Sequence, residues 1–160
     1  MAIRALIRAG VKSMLTGLTT EAGRTFATLT ECEPGLNPQP RFDQADCYFT
    51  LNEHTMGRDD ADGLSLRDWW LDIYVLIYAP TNDMLSLAEL EDDYGDAIDA
   101  ALLQHGRAGV ALATGVEIAM SHDFTYIADF AEGVQTGTVY RRLHWRARLQ
   151  ELEVYTIVDP

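Results

Sequence analysis

The chain reads as an α+β protein, a mainly antiparallel sheet with two amphipathic helices packed on one face. Three observations predict this. Apolar residues recur at three- and four-residue steps in two segments, 3–18 and 87–102. Apolar residues alternate with period two over 69–80 and 139–154. The order of segments is helix, strands, helix, strands, with hairpin-like connections late in the chain, which suits a sheet covered from one side. At 160 residues there is material for one domain, and enough chain to bury a core.

In order, Ile3, Leu6, Ile7, Val11, Met14, Leu15 and Leu18 form the stripe of the first helix, with Arg4, Arg8 and Lys12 four apart on another face. The helix is expected to stop between Gly17 and Thr20. A strand follows over 25–30. Next comes ECEPGLNPQPRFDQAD, whose three prolines and Pro34-Gly35 turn signal predict an irregular excursion over 31–46. CYFTL (47–51) is apolar and β-prone, and 52–66 is polar and read as loop. The segment RDWWLDIYVLIYAP is the clearest strand: Trp69, Leu71, Ile73, Val75 and Ile77 point one way, and Trp70, Asp72, Tyr74, Leu76 and Tyr78 the other. Ser86 to Glu89 (SLAE) has the form of a capping box for the second helix. Leu87, Leu90, Tyr94, Ile98, Ala101 and Leu102 carry that helix's buried stripe, and His105-Gly106 ends it. Val116, Ile118 and Met120 alternate, Phe124, Tyr126 and Ile127 form a second β-prone patch, 131–138 reads as a loop, and 139–154 is a long final strand.

Twenty-five acids against twelve bases give a net charge of −13 and a pI near 4.5. Such a field repels phosphate backbones and anionic membranes, so non-specific nucleic-acid binding is not expected. No run approaches the roughly 18 apolar residues of a membrane span. The basic, interrupted N-terminus does not read as a signal peptide, so a cytoplasmic setting is expected. There Cys32 and Cys47 are expected to be reduced, and their spacing does not make a zinc site.

Within this acidic chain, four of the twelve basic residues fall inside eight positions: Arg141, Arg142, Arg146 and Arg148. On a strand Val139, Arg141, Leu143, Trp145, Ala147 and Leu149 share a core-like face. Tyr140, Arg142, His144, Arg146, Arg148 and Gln150 share the other, as a row of cations and donors about 7 Å apart. Like charges so placed need anions or water opposite. One reading is a solvated sheet face with cross-strand partners such as Asp72, Glu117 or Asp129. A second is a phosphate or DNA contact, disfavoured by the surrounding negative charge, and the third is an interface. There Arg142, His144, Arg146 and Arg148 meet acids of a neighbouring subunit, with Glu91, Asp92 and Asp96 of the acidic second helix as the complementary patch. Matching two different patches of one chain generates a ring when the rotation closes.

Chemical sites are few. DDADG (59–63) has the look of a calcium loop. Aligned as one, it puts Arg58 at the first ligand and Trp69 where a bidentate Glu belongs. His54 and His122 have acidic neighbours in Glu53 and Asp123, but adjacent strand residues point apart. There is no GxSxG, SxxK, GxGxxG or Walker pattern. Nothing asks for a cofactor, a metal or a catalytic residue. An enzyme using His122 or His144 as a base is the remaining catalytic reading.

The stretch RDWWLDIYVLIYAPTNDMLSLAELED (67–92), a Trp-led strand ending at Pro80 and followed by a Leu/Glu-rich helix, resembles the tail terminator proteins of long-tailed bacteriophages, the lambda-type minor tail protein U group. The order of features along nearly the whole chain is similar as well. The resemblance implies a structural virion protein with no catalytic residues. It would assemble as a ring, a hexamer in that family, on the head-proximal end of the tail tube. Its partners would be itself, the tail tube protein below and the head connector above, with DNA passing through the lumen without tight binding. The acidic loop and the stretch between Gly106 and Gly137 are long for the type, which keeps a related neck or tail-completion protein as an alternative. A cytoplasmic adaptor binding an acidic partner through the arginine strand is another.

Overall fold

A computed structural model describes residues 3–32, 42, 44–53, 58–59, 65–66, 68–106, 116–118, 125–135 and 137–151. The chain begins with helix α1 (Ile3–Thr16). Ile7, Val11, Leu15 and, just beyond the helix, Leu18 are buried as the stripe predicts, while Arg4 and Lys12 are exposed. Strands β1 (Phe26–Glu31) and β2 (Ala45–Glu53) follow, then a short ladder of β3 (Arg58–Asp59) with β4 (Ser65–Leu66). Next come β5 (Asp68–Pro80), α2 (Met84–Gly106), β6 (Val116–Ile118), β7 (Thr125–Gln135) and β8 (Thr138–Glu151).

The main sheet runs β1-β2-β5-β8 and continues past β8 with β6 and β7. These two pair with different stretches of the same strand, β6 opposite 149–151 and β7 opposite 138–146. All these ladders are antiparallel except β1–β2, which is parallel. A parallel neighbour needs a crossover rather than a tight turn, and residues 32–44 connect the two strands.

One face of this sheet is the floor of the core. Cys47 and Phe49 of β2, Leu71, Ile73 and Val75 of β5, and Leu143, Trp145, Ala147 and Leu149 of β8 are buried there with the apolar stripes of both helices. Tyr94 of α2 ties the layers together, because its hydroxyl donates to Thr25 O at 2.7 Å and accepts from the Ala45 amide at 3.2 Å. The architecture is therefore α+β with both helices on one side.

The structure differs from the sequence reading in three places. Asp83, not Ser86, caps α2: its carboxylate accepts from the Ser86 amide at 3.1 Å and the Ser86 hydroxyl at 2.7 Å. The helix thus begins three residues earlier than the SLAE pattern suggests, since an aspartate preceding the first turn satisfies the free amides first. The span read as loop over 131–138 is sheet, β7 and β8 turning through residues 136–137 with Gly137 at φ +79°. A two-residue hairpin loop asks for such a left-handed residue, and the glycine supplies it. The span read as loop over 52–66 contains the end of β2 and the β3–β4 ladder. The described part of the final strand runs to Glu151. His54, His122, Phe124 and 152–154 lie outside the described residues, as do most of the excursion over 31–46 and 60–63 of the DDADG run.

Candidate functional site

The period-two alternation of β8 sends Arg142, His144, Arg146 and Arg148 to the sheet face away from the helices. In-register pairing with β5 and β2 then sets each beside a defined row. Asp46, Leu76 and Arg142 align, as do Tyr48, Tyr74 and His144; Thr50, Asp72 and Arg146; and Asn52, Trp70 and Arg148. In the second row the rings stack across three strands. Tyr48 and Tyr74 have centroids 4.6 Å apart at 11°, and Tyr74 and His144 4.3 Å apart at 11°. Directly opposed side chains on one sheet face lie at ring-stacking distance.

The charged centre is Asp72, whose residue is 2% exposed. His144 Nε2 donates to its Oδ1 at 2.6 Å and Arg146 Nε donates to the same oxygen at 2.9 Å, with Arg146 Nη2 approaching Oδ2 at 3.5 Å. A buried carboxylate is tolerable when donors of this kind satisfy it. Its hydrogen bond holds the Arg146 guanidinium pKa above the ordinary value. Two cation–π contacts complete the arrangement: Arg142 Cζ lies 5.3 Å from the Tyr74 ring centroid and Arg146 Cζ 5.4 Å from that of Trp70. Arg142 Nη1 also donates to the Tyr48 hydroxyl at 3.3 Å. Arg146 keeps 49% of its side chain exposed despite these contacts.

At the other end of the same face Asp46, 5% exposed, accepts from Thr28 Oγ1 at 2.6 Å and from the Tyr78 hydroxyl at 2.8 Å. Burial and the adjacent Asp46 carboxylate push the Tyr78 phenol well above its ordinary pKa. This carboxylate and phenol were not singled out from the sequence. The alternation signal places Tyr78 on the polar face of β5, whereas Asp46 falls in the span read as excursion, and pairing them required the sheet order β1-β2-β5.

Of the three cross-strand acids considered for the arginine row, Asp72 engages it through His144 and Arg146. In register, Asp129 falls opposite Arg142 and Glu117 opposite Gln150. The expected acidic patch on α2 is divided. Glu91 forms an ion pair with Arg141 of the same chain, so it is not a free member of an outward ridge. Arg141 lies on the core side of β8, where α2 packs, and that proximity makes the pair. Asp93 is held by Arg24 Nη1 at 2.7 Å and the Ala22 amide at 3.3 Å, and Asp99 accepts from the Trp145 indole at 2.9 Å. Glu89, Asp92 and Asp96 are exposed.

A cavity of about 160 Å³ at the start of α2 is lined by Arg24, Phe42, Pro80, Asp83, Ser86, Glu89 and Leu90. Among the described residues no group of three His, Cys, Asp or Glu side chains converges as a metal site, and no helix is long and apolar enough to cross a membrane. Cys32 and Cys47 are free thiols, and burial raises Cys47 far above the range in which a thiol ionises. No protein-family model matches the chain, and no curated protein is detectably similar to it.

Proposed function

We propose that the chain is a ring-forming tail terminator of a long-tailed bacteriophage, capping the tail tube and presenting a surface to the head connector. The observation that carries this reading is that Arg146 is half-exposed on the sheet face away from the helices while acids of α2 are exposed on the helix side. Arg142, His144 and Arg148 share that sheet face and are only partly exposed. The exposed acids Glu89, Asp92 and Asp96 lie on α2, which is packed on the opposite face. Two unlike patches on different faces favour head-to-tail association, which generates a ring when the rotation between copies closes. The net charge of −13 supports a lumen that lets DNA slide, since fixed negative charge gives phosphate nothing to bind.

The test is the native mass of the purified chain by light scattering at low and high salt, followed by incubation with purified tail tubes. A discrete ring that weakens as salt rises, and that blocks further polymerisation at one tube end, is the expected result. Failure to associate with itself or with tubes would sink it. In that case an adaptor that uses the half-exposed Arg146 to bind an acidic partner becomes the better account.

A further inference from the structure

Arg146 differs from its neighbours in the row. Its guanidinium is held along one edge by the buried Asp72 carboxylate, through Nε at 2.9 Å, and lies over the Trp70 ring at 5.4 Å. A free arginine loses much rotamer entropy when it is fixed in a contact. Here that loss is incurred on folding, yet 49% of the side chain still faces solvent. A cation that is oriented in advance and left half-exposed has the properties of an interface anchor. Its remaining N–H groups suit a planar carboxylate.

We infer that Arg146 is the anchor of the ring contact and that its occupant is the Asp92/Asp96 pair of α2 in a second copy of this chain. This rests on the terminator reading. Asp92 and Asp96 are four residues apart, so they share one side of the helix, and both are exposed. The buried positions Leu87, Leu90, Tyr94, Ile98 and Leu102 fix the opposite side of α2 against the sheet. The pair therefore points away from its own sheet, and Arg146 lies on that sheet's far face, so the two groups cannot meet within one chain. Glu89 is exposed as well and flanks the pair one turn earlier on the helix. Glu91, Asp93 and Asp99 are already held by Arg141, Arg24 and Trp145. Head-to-tail stacking of copies repeats the same contact at every seam.

The experiment is a charge exchange read by light scattering. Arg146→Glu alone, and the double variant Asp92→Arg with Asp96→Arg alone, should each raise the concentration needed for assembly at least about tenfold, the loss of roughly 1.4 kcal/mol per seam. An equimolar mixture should restore assembly, because in an alternating ring every seam is then complementary. The double variant alters only exposed helix positions, so its fold is secure even if glutamate beside Asp72 disturbs the sheet. Near-UV circular dichroism checks both. A wild-type ring that survives both variants overturns this contact and leaves the terminator reading standing. Variants that fail singly and are not restored by mixing also overturn the direct contact. A wild-type chain that forms no ring, even on tail tubes, overturns the terminator reading itself.

Discussion

At the scale of single residues, the polar face of the sheet is organised by Asp72. It is buried by its neighbours, yet it accepts from two side chains of the adjacent strand, so its charge is answered within the layer. Replacing it by asparagine keeps the shape and removes the charge. Asp72→Asn should cost about 1–3 kcal/mol in denaturant melts, the range for a buried charged hydrogen bond left imperfectly matched. Arg146→Gln should cost less, because that side chain is half in water. Equal losses would mean that Asp72 serves packing rather than the two donors. The sequence made the arginine row and Asp72 visible, since alternation alone assigns both to one face. It did not show that Asp72 is shared by His144 and Arg146, or that Glu91 turns to Arg141. Those pairings depend on strand register and on where α2 crosses β8, which a linear pattern does not encode.

At the scale of elements, periodicity was a sound guide wherever burial is one-sided. Both helical stripes and the faces of β5 and β8 follow it, because each element has a single apolar side to hide. It was a poor guide where the ends of elements are set by individual hydrogen bonds. The SLAE pattern satisfies the capping-box rule, but Asp83 reaches the same amide from outside and sets the start of α2. Hydrogen bonds from Ser86 hold the Asp83 carboxyl below its ordinary pKa of 3.8, so its capping contribution is present above that value and is lost as pH falls through the lowered one. Asp83→Ala should lower the melting temperature at neutral pH and narrow its fall on acidification, while Glu89→Ala should leave it unchanged. The reverse ranking would restore the capping box as the start signal. The span over 131–138 was misread for a similar reason. Its glycines look like loop residues, but Gly133 sits within β7 beside a shift in register and only Gly137 turns the hairpin.

At the scale of the whole molecule, the division of labour between faces is the organising fact. The helices cover the aliphatic side of the sheet and expose charges of both signs, Arg4 and Lys12 on α1 and Glu89, Asp92 and Asp96 on α2, while Arg146 is half-exposed on the other side. Charged contacts between copies would make self-association depend steeply on salt, as the native-mass measurement would read directly. The position of β8 has a separate consequence, one of timing. Every other described strand of the sheet except β1 and β2 pairs with it, and β5 alone gives it thirteen residues of ladder. Yet β8 is the last described element to leave the ribosome. Until then β5, with its Trp-led apolar face, has an edge with no partner from its own chain. A nascent chain halted after Gly106 should therefore bind chaperones or aggregate, and a chain released at 137 should show no cooperative unfolding transition. Formation of the sheet is in effect gated by synthesis of β8, so α2 is complete well before the layer it packs against.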